Sequence, residues 1–187
     1  MKKLVLICAA TVLGLFAIAG SAHAGAGVGA TWYYGSIIPD ITIPIKMESG
    51  MIIEPRLGFT NISYDEGSSS QAAGSVYSYG GTAIRLGVSG EFPFGEATAA
   101  HPMIGACVGV QNISPDVEGL DSWTDFFVDA FVGGTASLTD GCDAGVRAGV
   151  ELWMYGEQKA GDVVVEPSAT EIATFVQFFM RWWLWGQ

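Results

Sequence analysis

Apolar and polar side chains alternate along most of this chain, most clearly from Glu171 to Trp185. There the even positions read Ile172, Thr174, Val176, Phe178, Met180, Trp182 and Leu184, while the odd positions include Gln177 and Arg181. A period of two over that length predicts a long strand with one apolar face. Ala144 to Tyr155 repeats it, with Val146, Ala148, Val150, Leu152 and Met154 opposite Arg147, Glu151, Trp153 and Tyr155. Thr124 to Leu138 sets Phe126, Val128, Ala130 and Val132 against Asp125, Phe127, Asp129 and Phe131, and Pro102 to Asn112 sets Ile104, Ala106, Val108 and Val110 against Gly105, Cys107 and Gln111. Tyr77 to Phe92, Met51 to Tyr64, Ile41 to Met47 and Val28 to Tyr34 complete a set of eight predicted strands.

The connections between these strands fall into two classes. Those around Glu48-Ser49-Gly50, from Pro93 to Ala100 and at Thr139-Asp140-Gly141 are mostly short. Gly35 to Asp40, Asp65 to Ser75, Ser114 to Ser122 and Gly156 to Thr170 are mostly longer and rich in Gly, Ser, Pro and acids. The two classes alternate, as they do in an up-and-down barrel with turns at one end and loops at the other. The expected fold is therefore all-β, an eight-stranded antiparallel up-and-down transmembrane β-barrel. The apolar content of the chain is not gathered into spanning helices, because no run of 18 apolar residues follows Gly25.

Ahead of the barrel, Lys2 and Lys3 precede an apolar run from Leu4 to Ile18 and then the small residues Gly20, Ser21 and Ala22-His23-Ala24. The run is too short to span a bilayer and ends in the A-x-A pattern of a cleavage site, so residues 1–24 read as a signal peptide and residues 25–187 as one barrel domain. Without Lys2 and Lys3, six basic residues stand against nineteen acids, a net charge of −13. That excludes nucleic acid as an expected partner. Of the three cysteines, Cys107 and Cys142 remain; one points into the lumen mid-strand and the other sits at a turn, beyond disulfide reach of each other, so two free thiols are expected.

Which face meets water decides the environment. The polar faces carry Lys46, Arg56, Arg85, Arg147 and Arg181 against Glu54, Glu91, Asp125, Asp129 and Glu151, five of each sign, interleaved with Phe127, Phe131, Phe175, Phe179, Trp153 and Trp183. Balanced charges beside large aromatic rings suit an enclosed polar lumen, filled by its own side chains at eight strands, with the apolar faces turned to lipid. These ten charged residues are expected to form a structural ion network, since buried charges need partners whatever the function. Trp182, Tyr33 and Tyr34 are expected in interfacial aromatic girdles. The alternative is a soluble periplasmic barrel, lipocalin-like, with its apolar face inside around an apolar ligand.

The closing segment Phe179-Met180-Arg181-Trp182-Trp183-Leu184 resembles the last strand of the small eight-stranded outer-membrane β-barrel proteins, the OmpA/OmpX-like barrels. Ile43-Pro44-Ile45 with Ile52-Ile53-Glu54-Pro55-Arg56-Leu57-Gly58-Phe59 is similar to their second hairpin, and Ser137-Leu138 with Gly145-Val146-Arg147-Ala148-Gly149-Val150 to their third periplasmic hairpin. The resemblance implies residence in outer-membrane lipid after insertion by the outer-membrane assembly machinery, which in that family reads the C-terminal strand and commonly a terminal Phe or Trp. Here Leu184 holds that position and Trp185-Gly186-Gln187 follow. The family includes adhesins and structural anchors, so the resemblance specifies a fold and a place rather than a surface ligand.

No catalytic, cofactor or metal constellation emerges. A hydrolase would need a nucleophile beside a base, and the mature chain has a single histidine, His101, next to Pro102 at a predicted periplasmic turn. One histidine and two scattered cysteines give no zinc spacing. The loop acids Asp65, Glu66, Asp116, Glu118, Asp121, Asp162 and Glu166 lack the spacing of a calcium loop and read as a solvated acidic surface. Gly25 to Gly29 and Gly80-Gly81 have no Lys-Ser/Thr continuation and read as strand glycines near bulky neighbours.

Overall fold

The structure is a computed structural model and describes residues 23–33, 38–62, 80–95 and 100–185. Its strands are β1 (His23–Tyr33), β2 (Asp40–Thr42), β3 (Ile45–Met47), β4 (Ile52–Ile62), β5 (Gly81–Pro93), β6 (Ala100–Pro115), β7 (Trp123–Thr139), β8 (Cys142–Tyr155), β9 (Gln158–Ala160), β10 (Val163–Glu166) and β11 (Ala169–Trp185). β2 and β3 lie along one line between β1 and β4, so they are two pieces of a single stave. The sheet runs β11-β8-β7-β6-β5-β4, then that stave, then β1, and β1 pairs back onto β11. Every pairing is antiparallel. The result is a closed barrel of eight staves, the expected fold.

The strand bounds differ from those expected where local chemistry intervenes. β1 begins at His23, ahead of the expected Val28 and two residues before the expected mature start. The stave expected over Ile41 to Met47 is interrupted at Ile43-Pro44, because Pro44 has no N–H for the ladder. It stays pinned on both sides: Ile43 N donates to the Pro55 carbonyl and Gly27 N to the Pro44 carbonyl, each at 3.0 Å. The loop expected over Gly156 to Thr170 contains the β9–β10 hairpin. Its two-residue turn uses Gly161 at φ 61°, a left-handed conformation that favours glycine. Residues Tyr34 and 63–79, with the expected loop acids Asp65 and Glu66, lie outside the described residues.

Alternation sorts the side chains as the pattern required. Along β7 the residues are buried and exposed in strict turn from Trp123 to Val132. Large apolar side chains point outward, including Val132 at 66 % and Ile172 at 76 % exposure, with Phe59, Phe126, Val150 and Phe178. The inward rings need room, and glycines on the neighbouring staves supply it. A Cβ at Gly105 would overlap the ring of Phe131, at Gly109 that of Phe127, and at Gly145 that of Phe179. Cys107, Phe127, Phe131 and Phe175 pack into one inner cluster with Trp153 against it. Cys107 and Cys142 are both buried free thiols.

Candidate functional site

The lumen is the chemically richest part of the barrel, and its charges divide by height. Near the short-turn end Glu54 of β4, Glu91 of β5, Arg147 of β8 and Arg181 of β11 meet on the axis, each at most 1 % exposed. In a ring of eight staves β4 lies diametrically opposite β8, and β5 opposite β11, so the group ties the barrel across its full width. Arg147 Nη2 lies 3.0 Å from Glu54 Oε2 and also pairs with Glu91. Arg181 donates from Nε to Glu54 Oε2 at 2.8 Å and from Nη2 to Glu91 Oε2 at 2.6 Å, with a further contact from Nη2 to Glu54. Two cations and two anions cancel, which is the condition for retaining four charges away from water. Phenylalanine faces complete the shell: the Phe179 ring lies 4.4 Å from the Arg147 guanidinium and 4.3 Å from that of Arg181.

Towards the longer loops the same residue types are held less tightly. Arg56 is buried and donates to the Tyr33 hydroxyl at 2.9 Å, while its Nε and Nη2 have no hydrogen-bond partner among the described residues. Arg85 donates to Gln111 Oε1 from Nε at 3.2 Å and from Nη2 at 3.0 Å, and sits 4.7 Å from the Tyr33 ring. Its ion pair with Asp40 is long, at 3.8 Å. Asp129 is fully buried with neither carboxylate oxygen hydrogen-bonded among the described residues, and its register partner on β8 is Glu151, another acid. Asp125 accepts from Gly156 N at 2.9 Å. Lys46 is half-buried near the short-turn end, paired in register with Gly25 and Ile52, and has no ion pair among the described residues.

The structure therefore gathers Glu54, Glu91, Arg147 and Arg181 into one cluster and leaves Arg56, Arg85, Asp125, Asp129, Glu151 and Lys46 apart from it. Three partners escaped the sequence reading. Tyr33 was expected in an aromatic girdle, but its hydroxyl serves Arg56 inside the lumen. Its alternation with the outward Trp32 held that signal. Asp40 falls in an expected loop, and Gln111 is expected only as a polar strand position. Trp182 does lie outward, 42 % exposed. The lipocalin-like alternative is overturned by the same geometry, since the apolar faces point out and arginines and carboxylates occupy the inside.

No protein-family model and no curated protein matches the sequence. Among solved structures, the chain is similar to Neisserial surface protein A (NspA). The identity is 14 % and the TM-score 0.48, over 84 % of this chain and 92 % of that one.

At the long-loop rim, Trp153 and Tyr155 stack with centroids 6.0 Å apart, and the Tyr155 hydroxyl donates to Glu171 at 2.8 Å. Beyond that rim the β9–β10 hairpin prolongs β8 and β11, and Asp121 N donates to the Lys159 carbonyl at 2.7 Å. Among the described residues no group of three or more His, Cys, Asp or Glu is placed to hold a metal ion.

Proposed function

We infer that this protein resides in the outer membrane of a Gram-negative cell as a non-enzymatic β-barrel with a side-chain-filled lumen, serving as a structural or surface-interaction protein. The observation that carries the reading is the outer surface. In the eight barrel staves, the alternate described positions that face outward hold no Asp, Glu, Lys or Arg. Along β7 this surface runs from Phe126 to Ala136, roughly 25 Å of barrel height at about 3.3 Å per residue and a tilt of about 40°. That equals the apolar height of an outer-membrane barrel. Phe92, Phe94, Trp182 and Trp185 are exposed at the short-turn edge, and Phe59 and Phe126 at the other, as interfacial girdles would be. Water would not tolerate so large an uncharged apolar surface on a soluble monomer.

On this reading residues 1–24 are the export signal, removed during secretion, and the assembly machinery inserts the chain by its C-terminal strand. The lumen charges act as a structural network, most of them engaged with one another or with rings and amides. The test is fractionation of the native protein. It should stay with carbonate-washed outer membranes and migrate differently in gels before and after boiling. Recovery in a detergent-free periplasmic extract would reject the assignment.

A further inference from the structure

Three arginines are buried in the lumen: Arg56 of β4, Arg147 of β8 and Arg181 of β11. Glu54 and Glu91 pair with the second and third of them. Arg85, half-buried above, has Asp40 at 3.8 Å. Asp129 does not supply the balance for Arg56, since neither of its oxygens bonds to a donor among the described residues. Arg56 is thus a buried cation without an ion-pair partner among the described residues, and a charge so enclosed requires one.

The hydrogen-bond inventory leans the same way. Nε and Nη2 of Arg56, Nε and Nη1 of Arg147, Nη1 of Arg181 and the amide of Gln177 have no partner among the described residues, and all four side chains are at most 3 % exposed. The Phe131 and Phe179 rings cover guanidinium faces and leave these in-plane N–H groups unused. On Arg56 the unused pair is the same Nε/Nη2 edge with which Arg181 grips Glu54. The staves bring the donors together. Gln177 is flanked in register by Arg147 on β8 and by Tyr33 on β1, and the Tyr33 hydroxyl accepts from Arg56. Arg181, Gly29, Thr42 and Arg56 form one row across β11, β1, β2 and β4. Gly29 lets that row close up, because a Cβ there would fall 2.6 Å from Thr42 Oγ1 and 3.4 Å from Arg181 Cγ.

Buried N–H groups in folded proteins are bonded, so these donors call for an acceptor. Water brings protons of its own into a cluster already rich in donors and carries no charge, whereas an anion only accepts and neutralises Arg56. We propose that the lumen binds one small monovalent anion such as chloride, held by the Arg56 edge, the Gln177 amide and the unused N–H groups of Arg147 and Arg181. Such a site belongs to the lumen and does not depend on what covers the outer wall.

Two measurements on the full-length protein in zwitterionic detergent test this. In crystals grown with bromide, one anomalous-scattering peak is expected beside Arg56 and Gln177. In urea, the unfolding constant should fall about tenfold for each tenfold rise in chloride once the site is filled, one anion leaving per molecule unfolded. Methanesulfonate at the same ionic strength, too bulky for a packed lumen, should have no such effect. Arg56→Met removes the donor edge and its charge together and should abolish the chloride dependence. Gln177→Leu keeps every guanidinium and should weaken chloride binding by about threefold to tenfold; with the bromide map it decides the matter if Arg56→Met does not fold. A lumen that holds water but no bromide, equal responses to the two salts, or a chloride dependence that survives in folded Arg56→Met would each overturn the proposal.

Discussion

Towards the short turns, Glu54, Glu91, Arg147 and Arg181 pair with one another across the barrel axis, whereas towards the loops Arg56 and Arg85 turn to a phenol, an amide and aromatic rings. The carboxylate of Asp129, lying among these upper groups, makes no hydrogen bond among the described residues, and Asp129 faces Glu151 in register. The two halves use the same residue types in similar numbers. In both halves the acids stand on one adjacent pair of staves and the arginines on another. What separates them is reach: the lower side chains meet on the axis, whereas the upper arginines engage Tyr33 and Gln111 and leave the carboxylate of Asp129 without a hydrogen bond among the described residues. Charge balance is therefore a weak guide to which charges bear on stability.

If that distinction holds, the largest loss comes from the lower half. Arg181→Met leaves two buried carboxylates with one arginine and should cost about 3–5 kcal/mol in urea-induced unfolding from lipid vesicles. Placing a charge on the outer wall comes next. Val132→Lys should cost about 2–4 kcal/mol in the same assay, as expected where a strand crosses near the bilayer centre. Gly109→Ala, which drives a Cβ into the Phe127 ring, should cost about 1–3 kcal/mol, and Phe127→Leu should relieve part of it. The smallest effect belongs to the upper half. Asp129→Asn should change stability by less than about 1 kcal/mol, with stabilisation the expected sign because it removes the like-charge pairing with Glu151. A double-mutant cycle sharpens the contrast: Glu54 with Arg147 should couple by at least about 1 kcal/mol, and Asp40 with Arg85 by no more than about 0.5 kcal/mol.

The barrel itself was legible because period-two alternation is a local property, visible in any single stave such as Glu171 to Trp185. The number of staves and the alternation of short and longer links followed from the same reading. The inward placement of the strand charges was readable too, since Arg147 and Glu151 share a face opposite Val146 and Val150. Pairing was not. Glu54 and Arg181 are 127 residues apart in sequence, and their meeting depends on the offset with which the sheet closes between β1 and β11. No single strand encodes that offset. The interruption at Pro44 was written in the sequence and passed over, because Ile41, Ile43 and Ile45 keep their alternation straight through it. The β9–β10 hairpin was missed for another reason: its strands are three and four residues long, and Val163-Val164-Val165 has no alternation to read.

The central claim is that the outward face of the barrel lies against lipid, and spin labels read this directly. Nitroxides placed one at a time by Val128→Cys and Val132→Cys, in a chain whose own cysteines are replaced, would be compared for collision with oxygen and with a water-soluble nickel chelate after reconstitution into vesicles. High oxygen and low nickel accessibility at both positions is the predicted result. High nickel accessibility at both would mean that water, not lipid, covers the wall, and the barrel would not be a membrane protein.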